Sequence, residues 1–195
     1  SLKELYIISP LGFFGAFISG LSHSAVFGFG AVYAVAKGFD TFYVSVFMFI
    51  IIIFGALFQW PIGTLSDRFD RRTMLIGVTL IASVLSIFIV ATSYLSLMLF
   101  FIIVAFYSGM SLPMYSLVVA HINDFIQPDE IVGVSATLQF ILGIGAILGP
   151  ISASFFMNFF GADGFFVYLF LTHLSLGLFG IYRMSKRVKP DDLES

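Results

Sequence analysis

Gly63-Thr64-Leu65-Ser66-Asp67-Arg68-Phe69-Asp70-Arg71-Arg72 lies between two long apolar runs and directly follows Gln59-Trp60-Pro61-Ile62. Three arginines and two aspartates within ten residues are costly to place in hydrocarbon. The stretch therefore reads as a tight charged loop at a membrane surface, and the runs beside it as the helices it joins.

Composition supports a membrane setting. The chain is 59% hydrophobic and 10% charged over 195 residues, with a mean hydropathy of +1.07. A water-facing surface needs about 25% charged residues, so this is an integral membrane protein. The absence of cysteine excludes disulfides, thiolate chemistry and sulfur-ligated metals. No metal or cofactor is expected. No basic patch interleaved with aromatics is present for nucleic acid. Position 1 is serine, and no basic segment with a short apolar run precedes the first span, so no signal peptide is read. That start suggests a fragment or a processed product.

A crossing helix needs about 20 apolar residues. Polar breaks give six spans, near Tyr6–Ala36, Phe42–Ile62, Thr73–Ala91, Leu95–Ala120, Val132–Phe156 and Phe165–Tyr182. The first is long for one crossing and reads as tilted or partly interfacial. Tyr43 and Trp60 bracket the second about 25 Å apart, as interfacial anchors would. Six spans put both termini on one side, with Lys3, Arg68, Arg71, Arg72, Arg183, Lys186, Arg187 and Lys189 there and Lys37 alone opposite. Eight basic residues against one place both termini and the arginine loop in the cytoplasm. No Lys, Arg, Asp or Glu falls inside a span, so proton coupling would rest on a histidine or on a partner segment.

The pattern G-x-L-x-D-R-x-x-R-R resembles the signature loop of the major facilitator superfamily (MFS) of transporters, which joins the second and third helices of a six-helix half. The resemblance implies an all-α integral membrane fold in which residues 1–195 form one half, a 3+3 repeat, of a twelve-helix transporter. It implies a conformational latch at Gly63, Asp67, Arg68, Arg71 and Arg72, with Asp67 and Arg71 stabilising the outward-open state. The family commonly has glycine at the position of Asp70. That position tends to need φ > 0, which predicts a slightly strained loop. In the fifth span, Gly145-Ala146-Ile147-Leu148-Gly149-Pro150 is similar to the Gly-Pro motif of facilitator fifth helices. The resemblance implies that Gly145, Gly149 and Pro150 bend the helix and line the contact between halves. Gly109 and Pro113 suggest a bend in the fourth span, with simple packing as the other reading. The polar residues at 185–195 read as a cytoplasmic tail and a true terminus, hence the C-terminal half. The phrase from Gln59 to Arg68 looks like poorly characterised bacterial members.

Facilitator halves line their cavity with the first and fourth helices and place the third and sixth outermost. Ser19 and His23 lie on a small, polar face of the first span, and Tyr107, Ser111 and Tyr115 recur every four residues in the fourth. With Gln139 they are the solute candidates. His23 reads equally as solute contact or structural hydrogen bonder. Gln139 leans structural, and His121 and His173 read as a helix-end and a packing histidine. The third span is apolar enough to face lipid, while Thr172 and His173 fit an outermost sixth span less well.

The expected function is secondary transport of a small solute across a bacterial inner membrane by alternating access. The expected partners are that solute, membrane lipid and the missing N-terminal half. A half-size protein acting as a homodimer or scaffold is the alternative. A lipid phosphotransferase is the remote one, because the D-x-x-D of Asp67 and Asp70 lacks the further carboxylates that metal-dependent transfer needs. The chain is not expected to be an enzyme.

Overall fold

The computed structural model describes residues 2–186, which leaves Arg187, Lys189 and the rest of the predicted tail outside the described residues. The helices are α1 (Leu2–Ile8), α2 (Pro10–Ala36), α3 (Thr41–Arg68), α4 (Arg71–Thr92), α5 (Leu97–Ser111), α6 (Met114–Asn123), α7 (Ile131–Phe160) and α8 (Gly164–Ser185). Six are long and apolar enough to cross a membrane when α5 and α6 are counted as one span. The all-α, six-span architecture expected from the sequence is the one observed.

Local chemistry sets the helix boundaries, and in places it departs from the sequence reading. The long first span is two helices. Ser9 precedes a proline and so leaves the helical region, at φ −148° and ψ 92°. Its hydroxyl accepts from the Gly12 amide at 3.0 Å and starts α2. The ten-residue charged loop is mostly helix. α3 carries Pro61 within it and runs on to Arg68, so only Phe69 and Asp70 connect it to α4. Asp70 sits at φ −58° and no non-glycine residue among those described has positive φ, so the predicted strain is absent. An aspartate serves here because it caps α4, accepting from the Thr73 amide at 2.9 Å and the Thr73 hydroxyl at 2.7 Å. α2 ends in a Schellman turn: the Gly38 amide reaches Val35 O and the Phe39 amide reaches Ala34 O, with Gly38 at φ +85°.

Three helix pairs carry most of the packing: α2 with α7, α4 with α8, and α3 with α5. The first is closest. A side chain at Gly20 would run into Leu142 O, and one at Gly145 into Phe17 O. Gly149 likewise faces Leu21 O and Ser24. Small residues four apart allow this backbone approach. The third span is lipid-like on one side only. Ile81, Val84, Ile87 and Phe88 are exposed, while Thr79, Ser83 and Ser86 are buried. Two apolar clusters are stacked along the bundle. One holds Tyr33, Phe47, Phe100, Tyr107 and Phe165, and the other holds Leu11, Leu75, Met114 and Leu176. α3 and α7 are the spans least covered by the rest of the chain.

Candidate functional site

Between the two apolar clusters lies a buried polar chain built on the break in the fourth span. Pro113 has no N–H, and α5 stops at Ser111. The Ser111 carbonyl is thus one of the terminal carbonyls its own helix leaves without a partner. His23 of α2 supplies a donor, with Nε2 3.0 Å from Ser111 O. A carbonyl only accepts, so Nε2 carries a proton. The Ser111 hydroxyl lies 2.9 Å from Nε2 of His173, whose Nδ1 lies 2.7 Å from Leu169 O. By the same argument His173 is protonated on Nδ1 and accepts the Ser111 hydroxyl proton on Nε2. Tyr107 sets its ring edge-on to His173 at 5.7 Å, and its buried hydroxyl lies near Ser111 without hydrogen-bond geometry. Counted at 1.5 Å per residue, His23, Ser111 and His173 all lie roughly 18–20 Å from the arginine-bearing helix ends, about midway along the spans.

A second polar level lies nearer those ends, on an exposed face. Gln59 of α3 donates to Ser116 of α6 at 2.7 Å, and Tyr115 of α6 donates to Gln139 of α7 at 2.8 Å. Gln59, Ser116 and Gln139 are exposed and Tyr115 half-buried. All four stand roughly 10–14 Å in from the helix ends. They form a rung across α3, α6 and α7 on a surface that also exposes many Phe, Ile and Leu side chains.

At the helix ends, Arg71 links two helices. Its guanidinium donates to Asp67 at 3.2 Å and to Ala120 O at 2.8 Å, and it pairs with Asp124 at 3.3 Å. Asp67 is the last-turn carboxylate of α3, while Ala120 and Asp124 close the fourth span. Arg68 stands exposed in the last turn of α3, where a cation favours the helix dipole. A side chain at Gly63 would meet nothing, so that glycine is not set by packing within the chain. The Thr73 hydroxyl holds the Asp70 carboxyl below its ordinary range. Asp67 and Asp70 are thus committed to separate partners.

The structure brings His23 and Ser111 together, sets Tyr107 against their network, and pairs Tyr115 with Gln139. Ser19 stands apart, with its buried hydroxyl spent on Gly15 O at 2.7 Å. Gly145 and Gly149 spend their small faces on α2 inside the chain, and Pro150 approaches Gly28 of the same helix. The surface α7 leaves open is instead its Ile144, Ile147, Ile151 and Phe155 side. Sequence reasoning did not single out Gln59, Ser116 or Asp124 as site residues. Gln59 and Ser116 signalled themselves only by polarity at matching depth in neighbouring spans, and Asp124 only as an acidic residue beyond the fourth. It also missed an ion cluster at the opposite end. Lys37 donates to Asp163 and to Ser93, each at 3.0 Å, and lies 4.0 Å over the Tyr94 ring, while the Tyr94 hydroxyl donates to Asp163.

Residues 11–194 match the Major Facilitator Superfamily. The uncharacterized MFS-type transporter YfkF of Bacillus subtilis is 27% identical over 172 residues, covering 86% of this chain and 42% of its own length. The uncharacterized MFS-type transporter YcaD is 25% identical over 157 residues in both Shigella flexneri and Escherichia coli K12, covering 80% of this chain and 40% of its own length. The chain thus spans about two fifths of the curated relatives it matches. No solved structure matches it.

Proposed function

Because the chain belongs to the Major Facilitator Superfamily, we propose that it is one six-helix half of a transporter that moves a small solute by alternating access. The observation that carries this reading is the exposed rung of Gln59, Tyr115, Ser116 and Gln139. Polar side chains inside a membrane span are costly against lipid and mark cavities or partner contacts. A face that holds four of them at one depth therefore looks into a water-filled cavity, closed on its far side by a second half. The uncovered apolar surfaces of α3 and α7 beside the rung are where that half would pack.

In this reading the segment lies in a bacterial inner membrane with both of its ends cytoplasmic. That placement rests on the eight-to-one basic asymmetry and on the bacterial relatives. Its latch is Arg71 with Asp67 and Asp124, and its solute contacts are His23, Tyr115 and Gln139. Ser111 holds His23 through its carbonyl, and Tyr107 packs on the His173 end of the same chain. His23 has a double role, since the nitrogen that bonds Ser111 O also fixes the bend of the fourth span.

Transport by the complete protein tests the reading. His23→Ala is expected to reduce uptake or efflux at unchanged membrane abundance. Wild-type rates in that variant across pH 5–8 would remove His23 from the mechanism. A native polypeptide near 21.5 kDa by its tail epitope, rather than about twice that, would favour a homodimer of halves.

A further inference from the structure

Near the middle of the bundle the hydroxyl hydrogens are already donated. Ser19, Ser22 and Ser24 of α2, Ser108 of α5 and Thr172 of α8 each donate to a carbonyl of their own helix at 2.7–3.4 Å. The Ser111 hydroxyl is taken up by His173. Tyr107 keeps an undonated hydroxyl, but it is shut inside the bundle at 1% exposure. His23 differs from all of these. Its ring is half-buried, and Phe27, one turn on along the same face of α2, is 53% exposed. The imidazole thus stands on a side of the helix that the chain leaves open. Its Nε2 hydrogen goes to Ser111 O, and Nδ1 has no hydrogen-bond partner among the described residues.

Among those residues no Lys, Arg, Asp or Glu lies at this depth, so a doubly protonated imidazole would be an uncompensated cation inside a span. A neutral ring protonated on Nε2 carries a bare lone pair on Nδ1. We infer that His23 Nδ1 accepts a hydrogen bond from the solute, so that the transporter selects uncharged molecules bearing an N–H or O–H and rejects anions. The inference rests on the transporter reading above and names the solute class of its site. A carboxylate or phosphate would bring lone pairs to a level whose open group is itself a lone pair, and would leave a desolvated charge unpaired. A molecule lacking the donor is rejected for the same reason, since it leaves the site's own polar atom unmatched. The rung lies roughly one to two turns nearer the arginine-bearing ends. It does hold donors, in the Gln139 amide and in the Ser116 hydroxyl that accepts from Gln59, so the acceptor end of the solute belongs there.

The complete protein, carrying isotope-labelled histidine in nanodiscs at neutral pH, is read by nitrogen NMR. The His23 signals are assigned by their loss in His23→Gln and, separately, in His23→Asn. A protonated Nε2 and a bare Nδ1 are expected, and a protonated Nδ1 overturns the inference. Ser111→Ala keeps the carbonyl and should keep this tautomer. Three small probes of related shape are then titrated: acetamide, which donates an N–H; N,N-dimethylacetamide, which has no donor; and acetate, an anion. Acetamide is expected to shift the bare nitrogen saturably, at a half-saturating concentration about tenfold below that of the other two, the worth of one hydrogen bond. An equal response to either of the others, or no response to acetamide, overturns the inference. The transport reading fails by a different result: unchanged solute movement in His23→Ala would overturn it while leaving the acetamide response of the wild type in place.

Discussion

Arg71 is the residue on which the helix-end geometry turns, because one guanidinium serves acceptors on both the second and the fourth span. The motif identified Arg71 and Asp67 in the sequence, since their spacing is local. Asp124 and the Ala120 carbonyl lie roughly fifty residues away and become neighbours only when the bundle forms. Asp67 is largely exposed, so its pairing contributes little to stability. Asp67→Asn is therefore expected to leave the folding midpoint within about 0.5 kcal/mol of wild type while slowing the transport cycle. Solute affinity should hardly change, because the latch biases two states rather than the site itself. Transport rate and binding measured on the same preparation check this, and a large loss of affinity at normal turnover would contradict it. His23 shows the opposite limit of sequence reading. Its polarity was visible, but its partner is a backbone carbonyl left open where α5 ends, and no side-chain pattern announces a carbonyl.

Among the elements, α2 and α7 test how far a motif can be read. Glycines at 145 and 149 were legible as sites of close approach, and the approach is to α2 of the same chain. A repeat of small residues gives the spacing of a contact and not its partner, which explains why contact with another half was expected there. Gly145→Val should abolish the folded protein or cut its abundance severely, because its Cβ would enter the α2 backbone. Gly143→Val should be tolerated, since nothing lies within 4 Å of a Cβ there. Comparable losses in the two would refute the packing account. At the other end, Lys37 joins α2, the α4–α5 turn and the start of α8 through Ser93, Tyr94 and Asp163. The lysine and aspartate side chains are 11% and 18% exposed, so each needs the other's charge. Lys37→Met and Asp163→Asn should each cost about 1–3 kcal/mol, and the double variant less than their sum. Strict additivity in thermal unfolding would mean the pair is not coupled. The sequence showed Lys37 only as the lone cation of its side, because its partners come from two other turns.

At the scale of the whole molecule, hydropathy alone was enough to set the number of spans, since crossing the bilayer fixes helix length whatever the tertiary packing. It did not reveal the breaks at Ser9 and at Leu112–Pro113, which leave apolar runs uninterrupted. Nor did it reveal which faces are covered, because in a membrane both lipid and protein accept Ile, Leu and Phe. Polar residues discriminate better. The rung across α3, α6 and α7 marks one polar level on an exposed surface rich in large apolar side chains. The central claim is that this face lines an aqueous cavity, and it is open to direct chemistry because the chain has no cysteine. Ser116→Cys, Gln139→Cys and the apolar-face control Ile81→Cys would be placed singly in the complete protein, freed of any other cysteine. Each would be exposed in membrane vesicles to an impermeant maleimide on both sides. The account predicts labelling at Ser116→Cys and Gln139→Cys with Ile81→Cys unreactive. Failure of both rung positions to react, matching Ile81→Cys, would contradict it.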